Sequence, residues 1–197
     1  MFPDLDPGDL ARAYAAGGAT CLSVLTDVEW FGGSVDDLRA ARAAVELPVL
    51  RKDFTVHPHD VLDARLMGAD CVLLIAAALD DHELAALHGL ARSVGLDALV
   101  EIHDERELER ALAVDADLIG VNQRDLVTFE VDTARAARVG AAIPPGVVRV
   151  AESGIRERAD VVRLGEAGFQ AVLVGESLVR HGDPARAVRQ LRGAPPG

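Results

Sequence analysis

Val49-Leu50-Arg51-Lys52-Asp53-Phe54 is the stretch around which the chain reads. The apolar run Leu47-Pro48-Val49-Leu50 predicts a short buried strand that delivers Arg51, Lys52 and Asp53 at its end. Lys52 is the only lysine among 20 basic residues, so this position asks for something arginine cannot supply. An ammonium is compact, and burial lowers its pKa enough to release a proton, which a guanidinium does not do in a protein. Lys52 is therefore a candidate general acid or Schiff-base former. The structural alternative is a strand-end cation paired with Asp53.

The same unit recurs on both sides. Asp6-Pro7 opens a helix with Leu10, Ala13 and Tyr14 on one face, and Gly17-Gly18 stops it. Thr20 to Leu25 comes next as a β-rich run ending in Thr26-Asp27, and the later strands are expected at Pro48–Arg51, Cys71–Ile75, Ala98–Ile102, Leu118–Val121, Val147–Ala151 and Ala171–Val174. Strand starts recur every 20 to 29 residues with helical segments between them, so consecutive strands are parallel with helical crossovers. Gly17-Gly18-Ala19, Gly68-Ala69-Asp70 and Ala167-Gly168-Phe169 close helices just before strands, as glycine C-caps do. Strands this apolar belong to a sheet covered by helices, either open and doubly wound or closed as a (β/α)8 barrel.

The strand ends favour the barrel. Six of the apolar runs lead into polar residues: Thr26-Asp27, Lys52-Asp53, Glu101, Asn122-Gln123-Arg124, Glu152-Ser153-Gly154 and Gly175-Glu176-Ser177; only Ile75 leads into apolar Ala76-Ala77-Ala78. An open sheet concentrates its chemistry at one switch point, whereas a barrel collects it from nearly every strand at one rim. The expected fold is thus a TIM (β/α)8-type barrel in one domain over residues 1–192, with 193–197 a flexible tail. Seven strand-helix units are visible where closure wants eight, and the strand that should precede the first helix is absent. Two unpaired edges result, which self-association or a partner segment would have to cover.

Composition narrows the function. The chain has 197 residues, 50% of them apolar, and a net charge of −12, which argues against general nucleic-acid binding because that needs a basic face. The longest apolar run, Cys71 to Leu79, is too short to span a bilayer and the start carries no targeting signal, so a cytoplasmic protein with no membrane partner is expected. Cys21 and Cys71 read as small buried hydrophobes, and His57-Pro58-His59 as a surface turn; neither makes a metal site.

The strand ends also nominate a site. Glu101 would face the same rim as Lys52, for proton transfer or simply to neutralise Lys52 or Arg124. Asn122 and Arg124, one residue apart, can share a cavity while Gln123 points away; Arg124 would bind a carboxylate or brace the rim against Glu101 or Asp125. Glu152-Ser153-Gly154 and Gly175-Glu176-Ser177 offer glycine-bearing loops, hydroxyls and helix starts for a phosphate, or are mere punctuation. Phe31 and Phe54 would wall an aromatic substrate or pack in the core.

Leu25-Thr26-Asp27, Phe31-Gly32-Gly33-Ser34, Leu50-Arg51-Lys52-Asp53-Phe54, Leu99-Val100-Glu101-Ile102-His103-Asp104, Gly120-Val121-Asn122-Gln123-Arg124-Asp125-Leu126, Glu152-Ser153-Gly154-Ile155 and Val172-Leu173-Val174-Gly175-Glu176-Ser177, taken in order, closely resemble the indole-3-glycerol phosphate synthase family. The resemblance implies a barrel of tryptophan biosynthesis that converts 1-(2-carboxyphenylamino)-1-deoxyribulose 5-phosphate to indole-3-glycerol phosphate with loss of carbon dioxide and water, with neither metal nor cofactor. It makes Lys52 the acid that protonates the substrate carbonyl, and Glu101 the group that handles protons and stabilises charge near the anthranilate nitrogen. Asn122, Glu152 and Ser153 would position the intermediate; Gly154, Gly175 and Ser177 would hold the phosphate; Phe31 and Phe54 would pack on the substrate. The family pattern also has a leading helix and a first strand carrying a glutamate, a second lysine and a Ser-Pro-Ser loop, which these residues do not contain. Two alternatives stand beside the synthase: a catalytically silent barrel that binds a phosphorylated ligand or a partner chain, and an aldolase using Lys52 as a Schiff base.

Overall fold

The computed structural model describes residues 6–125, 128–179 and 182–193. Its core is a seven-stranded, all-parallel sheet in sequential order: β1 (Leu22–Leu25), β2 (Val49–Lys52), β3 (Cys71–Ile75), β4 (Asp97–Ile102), β5 (Leu118–Asn122), β6 (Val148–Glu152) and β7 (Ala171–Leu173). Every strand except β1 and β7 therefore has two neighbours. Helices α1 (Pro7–Gly17), α2 (Val35–Ala44), α3 (Pro58–Met67), α4 (Asp81–Ser93), α5 (Glu105–Ala113), α6 (Arg135–Gly140), α7 (Arg158–Glu166), α8 (Glu176–Val179) and α9 (Pro184–Arg192) alternate with the strands. Ala76-Ala77-Ala78, the apolar strand end, forms a short 3-10 turn.

Local chemistry sets the boundaries. Asp6 caps α1 by accepting from the Asp9 N–H at 2.8 Å, and Ser34, Asp80 and Asp104 do the same for α2, α4 and α5. Gly18 and Gly68 end α1 and α3 in the left-handed conformation, where a side chain would be strained. His57 starts α3: its ring nitrogen accepts from the His59 N–H and Asp60 closes the capping box. Gly193, assigned to a tail by sequence, is instead the left-handed cap of α9; residues 194–197 lie outside the described residues.

Strand alternation sorts the side chains into two layers. Val49, Val72, Leu74, Val100, Ile102, Ile119, Val121 and Ala151 face the helices in the main core, while Leu50, Leu73, Ile75, Leu99 and Val150 form a second apolar cluster on the other face of the sheet. That inner face also carries Lys52, Glu101, Gly120, Asn122 and Glu152, two residues beyond its apolar members or at the same parity. The sheet is strongly curled. Lys52 on β2 and Glu152 on β6 are 3.0 Å apart, yet four strand spacings in a flat sheet would separate their backbones by about 19 Å.

Among the described residues, the outer layer joins where the inner sheet does not. α1 packs against α9 so closely that a Cβ on Gly17 would lie 2.6 Å from the Ala185 carbonyl oxygen. Hence the buried face of α1 is Gly8, Ala11 and Gly17 rather than the Leu10-Ala13-Tyr14 stripe, because two neighbouring helices require small residues there. Cys21 is exposed just before β1, contrary to the buried expectation; only Cys71 is partly buried, and burial pushes its thiol up to about 12.

Candidate active site

Two layers of contacts build the rim. Arg51 points outward from β2, opposite to Lys52, and is buried against Asp53 (2.7 Å), Thr26 Oγ1 (3.1 Å) and the Asp60 carbonyl (2.8 Å). Thr26 donates to the same Asp53 oxygen at 2.5 Å. Asp53 is thus the counterion of Arg51 rather than of Lys52, and the pair ties the end of β1, β2 and α3 together. Its second oxygen accepts from the Phe54 N–H at 2.8 Å, while Asp27 accepts from the Trp30 and Phe31 N–H groups. Gly33 lets this loop turn back, since a Cβ there would sit 2.0 Å from the Leu25 carbonyl oxygen. Phe31 and Phe54 consequently stack, with centroids 5.0 Å apart and planes 13° from parallel.

Inside the rim, Lys52 Nζ donates to Glu101 Oε2 at 2.7 Å and to Glu152 Oε2 at 3.0 Å. Asn122 Nδ2 donates to the other Glu101 oxygen at 3.0 Å. Glu101 and Glu152 are almost wholly buried, so desolvation weighs on both carboxylates. Burial pushes Glu152 up, the nearby Glu101 charge adds to that, and Lys52 only partly offsets them, which leaves Glu152 at about 7. For Glu101, burial is outweighed by Lys52 and Asn122, and its pKa falls below the ordinary value.

Lys52 departs from the reading of a lysine made acidic by burial. Desolvation does lower its pKa, but Glu152 and Glu101 together overcome that and hold it above the ordinary lysine value. An amine kept as ammonium is a poor Schiff-base nucleophile, because condensation needs the free base. The geometry therefore disfavours the aldolase alternative and suits a charged donor between two carboxylates.

These groups floor a cavity of about 1010 Å³, walled by Phe31 and Phe54 on one side and by Ser153, Gly154, Gly175 and Ser177 on the other. All eleven residues singled out from the sequence line it. Gln123 points away as expected: its amide donates to the Ser153 carbonyl at 2.8 Å. Arg124 braces the rim, but against Glu176 (3.5 Å) and the Phe129 carbonyl (3.3 Å), not Glu101 or Asp125. Ser153 and Gly154 are both left-handed, at φ 64° and 72°, and Ser177 Oγ donates to the Ile155 carbonyl, linking the two loops. Of the two helix starts expected beside these glycines, only α8 abuts its loop. The N–H groups entering α7 are taken by Asp160, which accepts from Arg156 and Glu157 at 2.8 and 3.0 Å.

Sequence reasoning missed Gly120. A Cβ there would lie 2.1 Å from Glu152 Oε1 and would have to displace that carboxylate; a glycine mid-strand two residues before Asn122 was the available signal. It also passed over the exposed rim residues Trp30 and Phe129, which line the cavity mouth. Among the described residues, no group of three or more His, Cys, Asp or Glu side chains is arranged to hold a metal, and no helix is long and apolar enough to cross a membrane.

Comparison with known proteins bears on this cavity. Residues 1–191 match the family described as indole-3-glycerol phosphate synthase. The indole-3-glycerol phosphate synthase of a Nocardioides species is 55% identical over 188 residues, covering 95% of this chain and 72% of its own. That of Mycobacterium ulcerans is 52% identical over 191 residues, 97% of this chain and 70% of its own. Among solved structures, 3-hexulose-6-phosphate synthase superposes with a TM-score of 0.77 at 18% identity, over 95% of this chain and 92% of the other. Thiamine phosphate pyrophosphorylase from Pyrococcus furiosus gives 0.73 at 16%, over 94% and 87%. At such identities these two speak for the barrel-type fold alone.

Proposed function

The chain belongs to the indole-3-glycerol phosphate synthase family, and on that premise we propose how its residues divide the work. The reaction is that of a carboxy-lyase of tryptophan biosynthesis: ring closure, decarboxylation and dehydration of a phosphorylated anilino-deoxyribulose. The observation that carries the assignment is Lys52 Nζ held between Glu101 and Glu152, at 2.7 and 3.0 Å, on the floor of the cavity.

The stacked Phe31 and Phe54 rings hold the substrate's aromatic ring. The Ser153-Gly154 and Gly175-Ser177 loops hold its phosphate at the far wall, and folding the chain between these anchors brings the two reacting carbons together. As the aromatic carbon attacks the ketone, Lys52 gives its proton to the carbonyl oxygen, which becomes a hydroxyl. Glu152, near pH 7 and 3.0 Å away, returns a proton to the amine. Electron density leaves the anthranilate nitrogen in this step, and ionised Glu101 stabilises the positive charge that develops there. Loss of carbon dioxide then restores the ring electrons. In the dehydration, the nitrogen lone pair helps expel the hydroxyl, which takes a proton from the recharged Lys52 and leaves as water, and Glu101 accepts the proton lost from the ring carbon beside the nitrogen, which completes the indole. Asn122 fixes Glu101 throughout, and Arg124 holds the rim for the substrate carboxylate.

Lys52→Met in a fluorescence assay for indole-3-glycerol phosphate is the direct test. Turnover should fall by about 100- to 1000-fold, the scale of losing a donor aimed at developing charge, while a substrate analogue still binds. A variant within tenfold of the parent would remove Lys52 from the acid's role.

The outer edges of β1 and β7, unpaired among the described residues, are covered, on this reading, by self-association or by another segment. Sedimentation of the chain as a stable monomer across a wide concentration range would count against self-association.

A further inference from the structure

His103 directly succeeds β4, so it has the same parity as Glu101, with Ile102 in the helix-facing core between them. Two contacts fix it. Glu107, in the first turn of α5, accepts from the His103 backbone N–H at 2.7 Å and meets ring Nδ1 at 3.0 Å. With Nδ1–H committed to Glu107, the other ring nitrogen is aimed at the site: Nε2 lies 3.7 Å from Glu101 Oε1, the oxygen that also accepts from Asn122. That nitrogen is buried and has no hydrogen-bond partner.

Such an atom is costly to leave idle. A helix start needs one carboxylate to receive the backbone N–H, and Asp104 already caps α5. Neither requirement explains a buried imidazole edge pointed at a catalytic carboxylate. The charged groups facing the ring are Glu101 on β4, Glu107 on α5 and, more weakly, Arg135 on α6, with Lys52 behind Glu101. Burial lowers the His103 pKa, but the two carboxylates outweigh burial and Arg135 and hold it above the ordinary histidine value.

We propose that His103 is a positioning residue for the reaction: Glu107 anchors the ring, and Nε2 stands behind Glu101 and keeps that carboxylate ionised and turned into the cavity. The proposal rests on the role given to Glu101 above. A proton on His103 pulls Nε2–H toward Oε1, so Glu101 stays the base while Lys52 is engaged elsewhere by substrate. His103 lies outside the cavity lining.

Two measurements test this in the intact chain. In the first, imidazole resonances are tracked by NMR as a function of pH, with the His103 signal assigned from His103→Gln. His103 should titrate above 6.5, the ordinary value, and move down in both Glu101→Gln and Glu107→Gln. In the second, His103→Leu should lower kcat about tenfold, the scale of one lost interaction with a charged group, with KM changed less than twofold. His103→Gln, whose amide can still donate to a carboxylate, should recover about a third of the lost rate. A helix-start role alone would change stability and leave kcat and the Glu101 coupling untouched. An unmoved His103 titration in Glu101→Gln overturns the proposal even if the leucine variant fails to fold. So does a folded His103→Leu with parental kcat alongside an inactive Glu101→Gln, which leaves the role of Glu101 standing. An active Glu101→Gln removes that role, and the proposal with it.

Discussion

Replacing Glu152 by glutamine should abolish much of the pH dependence of stability between pH 5 and pH 8. The carboxyl is wholly buried, with one oxygen on Lys52 and the other unpartnered, and burial with the Glu101 charge pushes it up to about 7 from 4.5. A raised carboxyl pKa stabilises the folded state fully below the unfolded value, and that contribution is lost as pH rises through the folded one. At ~1.36 kcal/mol per unit, the gap amounts to about 3 kcal/mol. Glu101, shifted down, and Lys52, shifted up, keep their charges across this window, so they largely cancel between parent and variant. Urea denaturation of both chains at pH 5 and pH 8 isolates the difference. The parent should lose about 3 kcal/mol more than Glu152→Gln on going to pH 8. Parallel stability profiles would show that Glu152 is ionised throughout, and would remove it as the group that returns a proton to Lys52.

Gly120→Ala should cut turnover by roughly 100-fold, the effect of displacing a reacting group by about 1 Å, because the new methyl would meet Glu152 Oε1 at 2.1 Å; an unchanged kcat would mean that the carboxylate moves freely. Asp53→Ala should cost about 3–5 kcal/mol in urea denaturation by leaving buried Arg51 without its counterion, and a loss under 1 kcal/mol would contradict the burial of that pair. Phe31→Ala and Phe54→Ala should each raise KM, and their double-mutant cycle should show coupling of about 1 kcal/mol if the rings stack in solution; additivity would place the rings apart.

The strands were legible because each is a short apolar run, closed by a polar residue in all but Cys71–Ile75. Cys71–Ile75 agrees to the residue and the others differ by one or two at their ends, where fraying and pairing decide the limits. The cavity residues were legible for a related reason, since in parallel strands every C-terminal end opens on the same side of the sheet. The partnerships were not. Asp53 stands beside Lys52 in sequence yet neutralises Arg51, because alternation turns neighbours to opposite faces. Arg124 meets Glu176 across the rim, 52 positions along the chain, where no local pattern points. The small-residue face of α1 likewise answers to α2 and α9 rather than to its own periodicity.

By itself the sequence determined the strand-helix repeat, the rim composition and the singular lysine, all of which arise from short-range periodicity and residue chemistry. Tertiary structure alone decided the protonation states. Lys52, Glu101 and Glu152 come from strands 49 and 51 residues apart, and only the curl of the sheet brings their charges within 3.0 Å. Coulombic energy depends on that distance and on the water excluded around it. A lysine that looked acidic from burial is therefore held as an ammonium, and the readily exchanged proton belongs to Glu152.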